Sequence, residues 1–249
     1  MAIAIFTSLK PMSGRDGENQ SRSLANWQSV LPDCPIIRFE GSLIPFHDMV
    51  AQVEAQNSAD IFIYSNADIL FDETLPAAIA SLMKCGIHTA PFLMTGQRID
   101  ILEDESKHLH RPSGMDWFVF RRGMFHDLPP TLMGRGYCDC ALVSYCLLHN
   151  IPVVDASFCV RAEHQFHGYA HIKDGRGAAM SGNDAQANRR NNALGDFGPH
   201  CLDATHTLSA DGSLAKNIRK RPRCWRLWNL ATRGGKWWAN PKWDGIKPI

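Results

Sequence analysis

From Ala2 to Cys85, strand-forming segments alternate with helical ones, and this alternation limits the fold more than any other feature of the chain. Ala2 to Thr7 alternates in polarity and is rich in β-formers, then breaks into the loop from Ser8 to Gly17. Asn19 through Leu31 reads as a helix with Leu24, Trp27, Val30 and Leu31 on one face. Pro35 to Phe39 reads as a short strand, Phe46 to Gln56 as a second helix and Asp60 to Tyr64 as a third strand, apolar enough to be central. Thr74 to Cys85 is helical, with Pro76 acceptable in a first turn. This order predicts an α/β fold with a mostly parallel sheet, right-handed crossovers and flanking helices. Ligands of such sheets bind beyond the carboxyl ends of the strands, which singles out Thr7 to Gly17 and Ser65 to Asp68.

The middle of the chain is less regular. His88 to Met94 and Gln97 to Leu102 read as strands, and Glu103 to Ser113 as a polar loop. Met115 to Phe120 is a strong strand, Tyr137 to Asn150 a helix and Ile151 to Asp155 another strand. Lys173 to Asn192, rich in Gly, Ala, Asn and Arg, reads as a loop, either one that closes over a ligand or a plain surface loop. There is no internal repeat.

A chain of 249 residues can bury one α/β core, expected over 1–210, with an extension over 211–249. No apolar stretch reaches the ~18–20 residues needed to span a bilayer. The apolar start, Met1 to Phe6, lacks a basic leader region and a cleavage site, so it reads as a first buried strand and the expected location is cytoplasmic. The eight cysteines are scattered without a Cys-x-x-Cys pair; Cys138-x-Cys140 lacks a second half, so reduced, partly buried thiols are expected. The net charge of +1 conceals a segregation: from Leu214 onward there are ten Lys or Arg and one acid, a balance of +9 against −8 before it. Five of the seven tryptophans (Trp225, Trp228, Trp237, Trp238 and Trp243) fall in the same segment. Such a segment suits peripheral contact with an anionic membrane surface, or folds back with its indoles buried.

Several groups carry chemistry. Asn66-x-Asp68 follows the apolar third strand, where a short carboxylate can hold a divalent cation or serve as a turn residue. His164, His167 and His171 fall within eight residues and can supply metal ligands or phosphate hydrogen bonds; a helix would place them on one face, and a loop is equally compatible. Asp139, in Gly134-Arg135-Gly136-Tyr137-Cys138-Asp139, stands at a helix start as a general base or as a cap. Asp116 is a second acid in apolar surroundings, which calls for a buried partner or a role in binding sugar hydroxyls. Arg98 and Asp100 complete the polar set, with Arg98 suited to a diphosphate or to an ion pair.

The order of these motifs resembles the A-type (GT-A) glycosyltransferase-like proteins of bacteria and plants. The resemblance rests on Phe6-Thr7-Ser8-Leu9-Lys10-Pro11, Asn19-Gln20-Ser21, Ser23 to Trp27 and Tyr64-Ser65-Asn66-Ala67-Asp68-Ile69. It continues through Gly96-Gln97-Arg98-Ile99-Asp100, Gly114 to Phe120, Gly134 to Asp139 and His164 to His171, and spans roughly residues 3 to 195. It implies transfer of a sugar from a nucleoside-diphosphate sugar to a glycan, lipid-linked or small acceptor, as in polysaccharide biosynthesis, assisted by Mn²⁺ or Mg²⁺. It also implies that Asn66-x-Asp68 takes the place of the Asp-x-Asp metal motif, and that a histidine of the 164–171 cluster completes the metal site. Asp139 would be the base of an inverting transferase, with Thr7 and Lys10 near the donor's base and phosphates. Asn66 stands where the common motif has its first Asp, leaving Asp68 as the only carboxylate.

Two other classes fit parts of the sequence. A metal-dependent hydrolase could use the three histidines, with Glu163, Asp155 and Asp174 as the carboxylates nearest in sequence. A nucleic-acid-binding protein could use the basic, Trp-bearing tail, although the −8 balance of the body opposes a broad electrostatic footprint.

Overall fold

The computed structural model of the chain describes residues 1–41, 43–167, 174–192, 199–217 and 247–248. The first half follows the expected alternation: β1 (Ile3–Ser8), α1 (Gly14–Val30), β2 (Ile36–Phe39), α2 (Phe46–Gln56), β3 (Ile61–Ser65), β4 (Ile69–Phe71) and α3 (Thr74–Lys84). There follow β5 (Leu93–Thr95), β6 (Ile99–Ile101), β7 (Lys107–Leu109), β8 (Trp117–Arg121), α4 (Cys138–Leu148), β9 (Val153–Asp155) and β10 (Ala162–His164). Next come α5 (Gly175–Ser181), α6 (Asn183–Asn191), β11 (His206–Leu208) and β12 (Leu214–Lys216).

The central sheet has the order β12-β11-β9-β5-β8-β3-β1-β2. It is mostly parallel: β2, β1 and β3 run together, as do β5, β9 and β11. β8 lies antiparallel between β3 and β5, and β12 closes the edge antiparallel to β11. A smaller sheet contains β7, β6, β10 and β4, with Lys247–Pro248 alongside β7. β12 therefore belongs to the central sheet although it falls within the 211–249 extension; residues 218–246 and Ile249, with the Trp-rich stretch, lie outside the described residues.

The strands have two apolar faces because successive side chains point to opposite sides. Ile5, Ile61, Ile63, Trp117 and Val119 face α1 and α3 and join Leu24, Trp27, Leu75 and Ile79 in one core. Ala4, Phe6, Phe62, Tyr64, Phe118 and Phe120 face the other way, towards Phe46, Met49 and Val53 of α2 and Leu142 of α4. Phe6 meets Phe39, Phe62, Tyr64 and Phe120 edge-on at centroid distances of 5.4–6.5 Å. Such contacts contribute roughly 0.5–1.5 kcal/mol per pair beyond simple burial. Trp27 adds direction: its Nε1–H donates to the Ile69 carbonyl at 2.8 Å, which fixes α1 against β4.

Four segments differ from the sequence reading. The expected loop from Lys173 to Asn192 contains α5 and α6, with Lys173 outside the described residues. These helices have almost no apolar stripe to betray them; Ala179, Ala185 and Asn188 are their buried contacts. His88 to Met94 is a single 3₁₀ turn, Ile87–Thr89, followed after Pro91 by β5. Glu103 to Ser113 contains β7, which pairs antiparallel with β6 through a tight turn that places Glu105 at φ 62°. α1 starts at Gly14 rather than Asn19, because Ser13 has extended backbone and the polar first turn carries no apolar signal.

Candidate active site

β1 is flanked by β2 on one side and β3 on the other, so the chain reverses direction across the sheet between β1 and β3. A crevice opens at the carboxyl ends of strands at such a switch point. Lys10 follows β1, Asp68 follows β3, and the two side chains meet there, with Lys10 Nζ 2.8 Å from Asp68 Oδ2.

α1 holds the surrounding backbone. Gln20 accepts from the Lys10 amide at 2.6 Å through Oε1 and donates to the Lys10 carbonyl at 3.2 Å through Nε2. Asn19 donates to the Phe166 carbonyl at 3.0 Å, and Gln165 Nε2 donates to the Asn19 carbonyl at 3.0 Å and to Ser23 Oγ at 2.9 Å. The Gln165 amide also donates to the Asp68 carbonyl at 2.9 Å. The loop after β1, the loop after β3 and the segment after β10 are thus fixed to one helix and to each other.

Asp68 is 4% exposed, and two imidazoles stand beside it. His167 Nε2 is 3.1 Å from Oδ2 and His164 Nε2 is 3.7 Å from Oδ1. The two Nε2 atoms are 3.2 Å apart, and candidate ligand atoms of all three residues lie within 4.8 Å of one another. Oδ1 of Asp68 is buried without a hydrogen-bond partner, as a carboxylate oxygen kept for a cation would be. Each histidine also has a carboxylate behind its other ring nitrogen: Asp100 Oδ1 is 3.5 Å from His164 Nδ1, and Asp16 Oδ1 is 3.9 Å from His167 Nδ1. These separations exceed hydrogen-bond length, so the carboxylates act on the imidazoles through charge rather than through a bond. One oxygen and two nitrogens in this arrangement fit a divalent cation.

The charges agree with that fit. Burial alone would raise the pKa of Asp68, but His164, Lys10 and His167 outweigh it and hold the carboxyl well below its usual range. Burial, helped by the Arg98 charge, pushes His164 down to about 4. His164 is therefore neutral near pH 7, the form that binds metal, and Lys10 is the cation that balances Asp68.

A second set of groups adjoins the first. Arg98 donates from Nε to Asp100 Oδ1 at 2.7 Å and from Nη1 to Asp116 Oδ2 at 2.6 Å. Asn66 Nδ2 donates to the other oxygen of Asp116 at 2.6 Å, and Tyr64 donates to Asn66 Oδ1 at 3.1 Å. His110 Nδ1 lies 2.6 Å from Asp100 Oδ2. Burial would raise the pKa of Asp100, but His110 and Arg98 hold it down to about 2. Asp116 thus has the buried partners that its apolar surroundings required, and Arg98 bridges Asp100 and Asp116 through two of its five N–H donors.

Asp139 lies in the first turn of α4, one residue beyond its first, and is half-buried. The residue in cap position is Tyr137, held at φ 69°, so Asp139 is not the cap. Burial and the neighbouring charge of Asp116 push its carboxyl well above the usual range. Asn188 of α6 fixes this entry to α4: its Oδ1 accepts from the Leu132 amide, while its Nδ2 donates to the carbonyls of Leu132 and Gly136. Gly136 cannot carry a side chain there, because a Cβ would stand 2.7 Å from the Met180 carbonyl oxygen.

Lys10, Asn66, Asp68, Arg98, Asp100, Asp116, His164 and His167 therefore converge, while Asp139 feels the charge of Asp116 and its carboxylate accepts from Cys138 Sγ at 3.3 Å. Thr7 is fully buried on β1, with its hydroxyl 3.4 Å from the Ser8 carbonyl. His171 lies outside the described residues. Sequence reasoning missed Asp16, Gln20, His110 and Gln165 as supports. Gln20 was detectable: with Ser23, Leu24 and Trp27 it lies on the buried face of α1, a polar residue in an apolar stripe. Of the three carboxylates named for a hydrolase, Glu163 accepts from Lys107 and Arg161, and Asp155 from Ser157; Asp174 stands just before α5.

No protein-family model matches the chain, and no curated protein matches it by sequence. Among solved structures it is similar to a glycosyltransferase involved in the glycosylation of the major capsid of PBCV-1, at 9% identity and a TM-score of 0.29, over 49% of this chain and 61% of that one. It is also similar to residues 1–349 of TarS from S. aureus, at 8% identity and a TM-score of 0.35, over 67% of this chain and 58% of that one. A third is HddC from Yersinia pseudotuberculosis, at 12% identity and a TM-score of 0.32, over 52% of this chain and 80% of that one. The chain thus spans 61% and 58% of the first two.

Proposed function

We propose that this protein is a glycosyltransferase that moves a sugar from a nucleoside-diphosphate sugar to an acceptor hydroxyl, assisted by a divalent cation. The observation that carries this reading is buried Asp68, whose Oδ1 has no hydrogen-bond partner, beside two imidazoles at the switch point of the sheet. Asp68, His164 and His167 hold the cation, and the mixed oxygen and nitrogen donors favour Mn²⁺ over Mg²⁺. When bound, the cation neutralises charge on the departing diphosphate.

The residues of the chain do the rest. Lys10 at the crevice mouth faces the donor phosphates, with Thr7 behind it on β1. Asp139, in the first turn of α4, takes the proton of the acceptor hydroxyl in its ionised form as that hydroxyl attacks with inversion. Asp116, Arg98 and Asp100 hold Asn66 and His164 in place around the reacting centre. Among the described residues no helix is long and apolar enough to cross a membrane. A cytoplasmic enzyme whose segment 214–249 rests on an anionic membrane surface, close to a lipid-linked or glycan acceptor, fits the charge segregation of the sequence.

Thermal-shift measurements with UDP, GDP, ADP, CDP and dTDP, each with and without Mn²⁺, test this reading. Stabilisation by one nucleotide that depends on Mn²⁺ and disappears in Asp68→Ala is the expected result. A nucleotide response that ignores Mn²⁺, or one that survives in Asp68→Ala, overturns the metal role of Asp68.

A further inference from the structure

Lys10 occupies the coordination space of the group that surrounds Asp68. Its Nζ is 2.8 Å from Asp68 Oδ2, 3.4 Å from His167 Nε2 and 3.7 Å from Asp16 Oδ1. The ammonium thus faces an atom of two of the three candidate ligand residues, Asp68 Oδ2 and His167 Nε2, while Asp68 Oδ1 and His164 Nε2 lie 3.7 Å apart on the side it leaves open. A dication and an ammonium cannot share this space, because at such separations their repulsion is not screened by solvent.

We propose that Lys10 is a built-in competitor for the divalent cation: it neutralises Asp68 in the cation-free protein and must withdraw for the cation to bind. This inference rests on reading Asp68, His164 and His167 as cation ligands. The amine has somewhere to go. The Lys10 side chain is 24% exposed, and its four-carbon stem can swing towards solvent. Its backbone cannot follow, because Gln20 holds both the amide and the carbonyl. The displaced ammonium therefore stays at the crevice mouth, where it faces the oxygens of a diphosphate bound to the cation. A site built this way binds the cation weakly alone and more strongly once an anion is present to receive the amine.

Calorimetric titration with Mn²⁺ of the full chain, without nucleotide and at one pH and ionic strength, tests the competition. Lys10→Met is expected to bind Mn²⁺ about tenfold more tightly than the wild type, and Lys10→Arg, which keeps the charge, to within about twofold of it. Lys10→Gln keeps a donor for Asp68 without the charge; it carries the expectation of Lys10→Met and serves if that variant does not fold. Equal or weaker Mn²⁺ binding by folded charge-removed variants, with binding intact in the wild type, overturns the competitor role and leaves the metal reading standing. Absence of Mn²⁺ binding in the wild type and every variant overturns both.

Discussion

Asn66 donates its side-chain amide to Asp116 at 2.6 Å, so the residue two places before Asp68 supports a neighbouring carboxylate. An acid at position 66 would set two negative charges against each other in a buried place. Asn66→Asp, which restores an Asp-x-Asp pattern, is therefore expected to destabilise the fold by about 1–3 kcal/mol without strengthening Mn²⁺ binding. Urea unfolding and Mn²⁺ titration check this; a tighter cation site in that variant would falsify the supporting role.

Asp139→Asn removes the proton acceptor with little change in shape. Transfer should fall by about 10²-fold or more while affinity for the stabilising nucleoside diphosphate stays within about twofold. Single-turnover transfer and nucleotide titration separate the two effects, and wild-type transfer rates would eliminate Asp139 as the base.

Asp155 provides a pH test remote from the cation group. Burial raises its carboxyl to about 6, despite the bonds it accepts from the amide and hydroxyl of Ser157. The folded protein then binds more protons than the unfolded chain between about pH 4 and 6, so this residue's contribution is full below that window and lost as pH rises through it. The loss is at most about 3 kcal/mol. Asp155→Asn keeps the acceptor oxygen without the charge. Its stability relative to wild type should be greater at pH 7.5 than at pH 4.5 in urea melts; equal differences at the two pH values would refute the assignment.

Asn188→Ala removes the bonds to Leu132 and Gly136 and leaves buried backbone groups unpaired, at a cost of about 2–3 kcal/mol. Amide exchange should quicken across α5, α6 and 132–139 before the central strands respond. Uniform acceleration throughout the sheet would show instead that α5 and α6 unfold only with the whole domain.

The sheet was readable because its strands are apolar on both faces and the helices between them carry stripes at helical spacing, as with Leu24 and Trp27. α5 and α6 were not, because a helix that docks through two alanines and one asparagine leaves no hydrophobic period. In the site, Asp68, His164 and His167 were singled out for their chemistry and position in the chain. The pairing of Arg98 with Asp100 and Asp116 was invisible, since an arginine suited to a diphosphate is equally suited to two carboxylates. The clamp of Gln20 on Lys10 depends on a loop shape that no local pattern encodes.

The Gln165 side chain crosses 142 residues of chain to reach Ser23, and its amide joins Asp68 from the same place. Contacts so distant in sequence close large loops and form late, once the sheet has brought its two halves together. The group around Asp68 consequently has no partial version: a chain truncated before His164 contains Asp68 and Lys10 but neither of the imidazoles that lie beside them.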